Sequence, residues 1–364
     1  MLLSFFPSRS LALYLGKTFL LRCFAMLAML VLVLQMLDLL SEAGKVLSYP
    51  GNGDAELWRY VSLRLPQIVS RFLPFSVLLG TLIMLATLNA NSEVIAMKSG
   101  GLSAHQILAP LMLASLGVAI ISYVFNERVV VRSTATLSAW ESADYGPVPD
   151  DRGVKSNIWV RDGEDLIRAG TITGSGSNVR LQNVDIYDRH GDKLIQIITA
   201  KTGRLTSEGW RMDGVRIFDV VRGTSRDAAA ITVGKGIRPD QFTLSSVDPD
   251  SLSFAELRES IQTLRESGRP VTSLEGSLWH KITGPLSALL MPLLGSVAAF
   301  GIARSGKLFV RAVIGMALGF AYFVADNFAL SMGNLGVYPP LLAAWAPFLL
   351  FLLVGEAVLI TTEE

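Results

Sequence analysis

Cysteine is nearly absent from this sequence: Cys23 is the only one in 364 residues. A single thiol excludes an intrachain disulfide framework and a zinc-ribbon site. Histidine is almost as scarce. His105, His190 and His280 are the only three, and none stands in an HExxH spacing, so a metal site has no ligand set to draw on. Charge is sparse too, at 17% of residues with a net of +1, which leaves no global basic field to recruit nucleic acid. No Ser-His-Asp, Cys-His or paired-carboxylate constellation can be assembled, so an enzymatic role has no positive support.

A complete phosphate loop is also missing. Gly301–Lys307, GIARSGK, fits most of GxxxxGK[ST], but Leu308 stands where Ser or Thr is required. The stretch lies between two apolar runs rather than after a strand, so nothing aims its amides at phosphates. ATP-driven work therefore needs a separate subunit, and the chain itself is expected to bind no cofactor or metal.

What the chain has in abundance is apolar length: 51% of residues are hydrophobic and mean hydropathy is +0.44. Six runs are long enough to cross a bilayer: Phe19–Leu40, Leu65–Leu88, Ile107–Phe125, Ile282–Ala303, Val310–Ser331 and Leu341–Ile360. The first is too long for a cleavable signal core and no small-x-small site follows it, so it is expected to be retained. Met1–Gly16 reads as an interfacial lead-in to that span, and Asp38, Ser41, Glu42 and Lys45 as its polar end. Glu56–Arg71 is a partly amphipathic feed into the second span, which Pro66 and Pro74 start or kink.

Between the third and fourth runs the composition turns polar and Gly-rich. Ile158–Arg161, Leu166–Ile172, Val179–Tyr187, Leu194–Ala200, Gly203–Thr206, Trp210–Val221 and Ala230–Val233 are short, β-branched and separated by turn residues. They predict a sandwich, jelly roll or open barrel of about 100 residues. A helix follows, with Ser253 and Glu256 as a capping box and Leu257, Ile261 and Leu264 as its packing stripe. The expected organisation is a membrane half at 1–128, a β domain at 129–250, a helix and linker at 251–276, and a second membrane half at 277–364.

Orientation follows from the positive-inside bias. Arg304, Lys307 and Arg311 crowd one connection, whereas Ser331–Pro340 has no charge; Arg9, Lys17 and Arg22 precede or open the first span. Six spans then put both termini and the Asn89–His105 and Arg304–Arg311 connections in the cytoplasm, and Val129–Lys281 outside. Arg59, Arg64 and Arg71 run against this count, although Glu42, Asp54 and Glu56 share their loop.

Asn89–His105, NANSEVIAMKSGGLSAH, is longer than two membrane helices need to turn around. It predicts a short surface helix in which Asn91 or Ser92 caps and Val94, Ile95 and Met97 give apolar contacts. Glu93 and Lys98 add charge, and Gly100-Gly101 forms a flexible joint. Such an element either transmits force from a soluble partner or is a passive cap. Charges inside spans need a reason. Asp326, beside Asn327, meets a cation from a neighbouring helix, belongs to a proton pathway, or sits at the interface; Glu356 reads as interfacial. Gly315-x-x-x-Gly319 allows close helix approach. Lys45, Arg128 and Arg132 gather at the outer ends of the first and third spans. Arg128 and Arg132 share a helix face if the third span continues outward; the three either bind lipid-headgroup phosphates or are ordinary solvated cations.

Several local motifs carry a resemblance. Phe72-Leu73-Pro74-Phe75 and Gly80-x-Leu82 precede Asn91-Ser92-Glu93-Val94-Ile95-Ala96-Met97-Lys98-Ser99-Gly100-Gly101. Lys281-x-x-x-Pro285 opens the fourth span, Phe320–Asp326 lies in the fifth, and Val184–Tyr187, Ala200 and Trp210–Val215 mark the strands. With the layout of three spans, a β-rich insertion and three more spans, they resemble the LptF/LptG (YjgP/YjgQ) lipopolysaccharide export permeases over nearly the full chain. Leu37-Asp38-x-x-x-x-Ala43-Gly44 points to the LptG branch. The resemblance implies an α-helical inner-membrane protein with six transmembrane helices and an inserted all-β periplasmic domain, a β-jellyroll. It further implies a permease subunit that is not itself an enzyme, in an ATP-driven ABC transporter that extracts lipopolysaccharide and passes it to a periplasmic bridge. The implied partners are an LptF-like permease in a heterodimer, an LptB-like ATPase dimer that uses ATP and Mg, and an LptC-like bitopic protein. By the same resemblance Asn91, Ser92, Glu93, Met97, Lys98, Gly100 and Gly101 form the coupling helix, with Glu93 meeting a basic group of the ATPase. Lys45, Arg128, Arg132 and Asp326 are the candidate lipid contacts. One departure stands out: where some members place lysines around the end of the first span, this chain has Gln35, Ser41 and Glu42, leaving Lys45 nearby. The rival readings are an ion-coupled secondary lipid transporter using Asp38 and Asp326, and a membrane anchor for a partner-binding β domain.

Overall fold

The first apolar run belongs to a much longer helix. In the computed structural model, which describes residues 7–147, 155–162, 164–173, 179–190, 193–206, 209–233, 248–266, 269–300 and 308–363, α1 spans Arg9–Ser48 without a break. From Arg9 onward the lead-in, the span and its polar end are therefore one rod of 40 residues, about 60 Å long at 1.5 Å per residue. Helix α2, Asp54–Ala90, likewise absorbs its amphipathic feed, with Pro66 and Pro74 inside it. Its start is set at Gly53, whose N–H donates to Glu56 at 2.8 Å. The short α3, Glu93–Ser99, and α4, Ala104–Phe125, follow. A π-helical turn, Asn126–Val130, joins α4 to α5, Val131–Ser142.

That junction departs from the expected boundary. The expected β domain begins at 129, where the composition turns polar, yet residues 129–142 are helical. Leu137 and Trp140 are buried with Val46, Tyr60 and Tyr145, so the polar stretch is held as helix by packing. The chain divides into two compact units, one of Met1–Gly146 with Pro249–Glu364 and the other Pro147–Asp248. In the first unit, α6 (Phe254–Glu266) has the expected capping box and buries Leu257, Ile261 and Leu264. Glu127 in the π turn accepts the Phe254 N–H at 2.9 Å, tying α6 to the third span. Then come α7 (Thr272–Phe300), α8 (Leu308–Asn334) and α9 (Pro340–Glu363). Among the described residues five helical segments are long and apolar enough to cross a membrane: α1, α2, α4 through α5, α8 and α9. Helix α7 lies in the same core through Ala288, Leu290, Met291, Leu293 and Leu294. The Gly301–Lys307 stretch falls outside the described residues.

Gly80 sets how closely α1 and α2 approach. A Cβ there would come within 2.8 Å of the Cys23 Cα, against backbone that cannot yield. Of the Gly315-x-x-x-Gly319 pair, Gly319 packs against Leu78 of α2.

The second unit is one antiparallel sheet of six strands: β1 (Lys155–Asp162), β2 (Asp165–Thr173), β3 (Arg180–His190), β4 (Lys193–Thr206), β5 (Gly209–Asp219) and β6 (Thr224–Val233). Leu194–Ala200 and Gly203–Thr206, read as two strands, are one. Every neighbour is consecutive, in the order β1-β2-β3-β4-β5-β6, so the described strands form an up-and-down meander. A jelly roll would set non-consecutive strands side by side. Alternation puts Ile167, Ala169, Leu181, Val184, Ile186, Ala200, Trp210, Met212 and Val215 on one buried face. One position goes unpaired in every strand, Asn157, Gly170, Asn183, Lys201, Gly214 and Ala229, each opposite the next, while the register on either side is unchanged. Asn183 and Gly214 have left-handed φ values of 52° and 67°. Across this row the alternation shifts phase, so Leu181 and Val184, and Met212 and Val215, are buried three residues apart.

Candidate functional site

Among the described residues, a group of polar side chains comes together at each end of α2. The first is the elbow between α2 and α4. Ser92 occupies the N-cap position of α3, but with φ of 60° its side chain caps nothing; the expected capping by Asn91 or Ser92 gives way to a left-handed turn. Val94 is buried and Met97 packs half-buried against the helical core, whereas Ile95 is exposed. The apolar residues thus split between an anchoring face and an outward one. Glu93 accepts from the Tyr14 hydroxyl of α1 at 3.0 Å and from Asn91 Nδ2 at 3.3 Å. Gly100 closes α3, and Gly101, at φ of 86°, reverses the chain in a conformation that side chains resist. Ser103 and Gln106 then cap α4 reciprocally. Nearby, Arg22 donates to the Ile83 carbonyl at 2.7 Å and the Thr87 hydroxyl at 2.6 Å, an inter-helix clamp hidden when Arg22 is counted only as a topology charge. His105 contacts Glu356 at 3.0 Å, joining α4 to α9; Glu356 therefore has a protein partner as well as an interfacial position.

The second place is a cleft of about 520 Å³ lined by Asp38, Glu42, Lys45 and Ser48 of α1, Tyr60 and Arg64 of α2, and Glu141, Asp144 and Tyr145 at the end of α5. Residues 38, 42 and 45 share one helical face, as do 60 and 64. Arg64 Nε and Nη2 both donate to Asp38 Oδ1, at 3.1 and 3.0 Å, while Nη1 donates to Gln67 at 2.6 Å. The Tyr60 hydroxyl donates to Asp38 Oδ2 at 2.7 Å. Lys45 pairs with Glu42 at 2.8 Å. Asp144 and Tyr145, with φ of 49° and 60°, fold Tyr145 back so that its ring meets Trp140 edge-on at 5.2 Å. Burial, then Glu141 and Glu42, push the Tyr145 hydroxyl up to about 12, so it stays protonated and donates to Glu42 at 3.3 Å. Arg59 lies over the Trp140 ring at 4.5 Å. Two of the arginines that opposed the positive-inside count are thus held by a carboxylate and by a ring.

The comparisons with known proteins bear on this arrangement. The profile of the family described as "Lipopolysaccharide export system permease LptF/LptG" matches residues 13–361. The chain belongs to this family. Among curated LptF/LptG relatives, the lipopolysaccharide export system permease protein LptG of Escherichia coli strain K12 is 26% identical over 94% of this chain and 95% of its own length. LptG of Haemophilus influenzae is also 26% identical, with the same coverage.

In this LptF/LptG chain the remaining candidate residues are dispersed. Lys45 lies in the cleft but is engaged by Glu42 and largely exposed. Arg128 and Arg132 are exposed and line no part of the cleft. Arg128 lies within the π turn and Arg132 in the first turn of α5. Asp326 is 7% exposed on α8, 3.8 Å from His280 Nδ1 of α7, and its Oδ1 has no hydrogen-bond partner among the described residues. It touches neither elbow nor cleft.

Proposed function

We propose that this chain is the permease subunit of an ATP-driven exporter that extracts lipopolysaccharide from the inner membrane and hands it to a periplasmic bridge. α7 counts as the sixth span beside the five apolar segments. Both termini and the elbow face the cytoplasm, and the β unit faces the periplasm. The partners are an LptF-like permease, a dimeric LptB-like ATPase that consumes ATP and Mg, and an LptC-like bitopic protein. The 26% identity to LptG proteins over 94% of the chain supports the LptG place in the heterodimer.

The observation that carries the coupling is the elbow. Its anchoring face, Val94 and Met97, is locked into the membrane core, while Ile95 and the Asn91–Glu93 corner are presented outward. A soluble subunit pushing on α3 moves α2 and α4 directly. Glu93→Ala lowers lipid-stimulated ATP hydrolysis by the reconstituted complex or weakens ATPase association; wild-type values for both refute the coupling.

A second reading rests on Asp326, whose unpartnered Oδ1 is buried and which an ion-coupled transporter would use to carry a proton. Lipid extraction that survives Asp326→Asn and stops when the ATPase is omitted excludes it.

A further inference from the structure

Glu93 is held from two sides before any partner arrives. Its Oε2 accepts the Tyr14 hydroxyl of α1 at 3.0 Å, and its Oε1 accepts from Asn91 Nδ2 at 3.3 Å. The Asn91 bond is local, but Tyr14 and Glu93 are 79 positions apart in sequence. Packing fixes both ends of the longer link. Leu15 and Phe19 of α1 are fully buried in the same core as Val94 of α3. Tyr14, Thr18 and Arg22 share one face of α1, and Arg22 on that face donates to the Ile83 carbonyl and the Thr87 hydroxyl near the end of α2. One face of α1 therefore grips the end of α2 and the start of α3 together.

We infer that Tyr14 is a positioning residue for the coupling contact: its hydroxyl sets the Glu93 carboxylate in place for a cationic side chain of the ATPase subunit. The inference rests on the coupling reading above and adds α1 to the docking site. A glutamate at the membrane surface loses rotamer freedom when a partner docks on it, and a side chain already held loses less. Both holding groups are neutral donors, so they orient the carboxylate without cancelling its charge. They also leave it room for the partner, because a carboxylate offers about four acceptor positions and these two bonds use two. The ring of Tyr14 is 46% exposed. Phenylalanine would serve as well for an aromatic anchor at the interface, so the hydroxyl is the group that the link to Glu93 requires.

The test uses the full-length chain assembled with its partner permease in nanodiscs, titrated with the ATPase subunit and read as lipid-stimulated ATP hydrolysis. Tyr14→Phe removes the hydroxyl and keeps the ring. It is expected to raise the concentration of ATPase subunit needed for half-maximal stimulation about five-fold, the ordering cost of one side chain. In a Glu93→Ala background the same substitution is expected to shift that concentration by less than about two-fold, because the group that Tyr14 holds is gone. An unchanged or lower half-maximal concentration for Tyr14→Phe overturns the inference, as does a fall in the maximal rate alone. A five-fold loss that persists in the Glu93→Ala background also overturns it, since Tyr14 would then act on the fold rather than through Glu93. If Glu93→Ala alone matches wild type, the coupling reading itself fails.

Discussion

Replacing Arg64 by Gln tests whether the cleft is a built structure or a chance meeting of surface charges. Asp38 accepts three donors, two from Arg64 and one from Tyr60, and the side chains of Arg64 and Asp38 are 33% and 18% exposed. Breaking a fully buried pair costs about 3–5 kcal/mol, and an exposed pair contributes about 0–1 kcal/mol. This pair lies between those limits, and the Tyr60 hydroxyl remains on Asp38 when Arg64 is lost. Arg64→Gln should therefore cost about 2 kcal/mol. Asp38→Asn, which keeps an acceptor for Tyr60, should cost about 1 kcal/mol. In a double-mutant cycle the two should couple by about 1–2 kcal/mol. The assay is reversible unfolding in mixed detergent micelles, with Lys45→Ala as a control that leaves stability unmoved because Lys45 is largely solvated. Costs that add to within about 0.3–0.5 kcal/mol refute the reasoning.

Gly80→Val forces a branched side chain into the Cys23 backbone and should destabilise by about 1–3 kcal/mol or more, read as a lower Tm of the detergent-purified chain; an unchanged Tm refutes the close approach. Val94→Asp should unfold α3 and raise its protease sensitivity. Ile95→Asp should leave α3 folded and abolish ATPase capture, and the same outcome for both would erase the distinction between the two faces. Hydrogen bonds from Ser253 hold the Glu256 carboxyl below its ordinary range, so this cap is complete above that range and is lost as pH falls through the lowered value. Hydrogen exchange in the first turn of α6 should accelerate on acidification, and Ser253→Ala should shrink that pH dependence.

The spans were legible because bilayer thickness demands a minimum apolar length, which the sequence displays without regard to folding. Where helices leave the apolar layer that signal stops. Asp38–Lys45 and Arg132–Ser142 are polar and Glu56–Arg64 only partly amphipathic, yet all three are helical, and their neighbours Val46, Tyr60, Leu137 and Trp140 are buried together. The cleft was hidden for the same reason, since its residues come from three segments. The only local sign was the spacing of Asp38, Glu42 and Lys45, and Arg64 looked like a topology charge until Asp38 was found beside it. The elbow was readable from charge and glycine interrupting an apolar pattern, but the left-handed Ser92 was not, because a serine before a helix normally announces a cap. Strand positions followed from alternation. The skipped row through Asn183 and Gly214 did not: it shifts the alternation by one position in each strand, and a shift of one position does not stand out in a short strand.

The contact between Gly80 and Cys23 also gives α2 the geometry of a lever. Gly80 divides the helix unequally, with roughly 15 Å to Ala90 at the elbow and roughly 30 Å to Tyr60 at the cleft, at 1.5 Å per residue. A tilt about that fulcrum which displaces Ala90 by about 1 Å swings Tyr60 by about 2 Å in the opposite direction. Tyr60 is fastened to Asp38 by a bond of 2.7 Å, so a swing of that size is enough to pull the cleft open or press it shut. Pro66 and Pro74 both lie in the long arm, where their missing N–H groups make the helix compliant, and they absorb part of the stroke. Moving the glycine one turn toward either end would change the gearing between the elbow and the cleft without touching a residue of either.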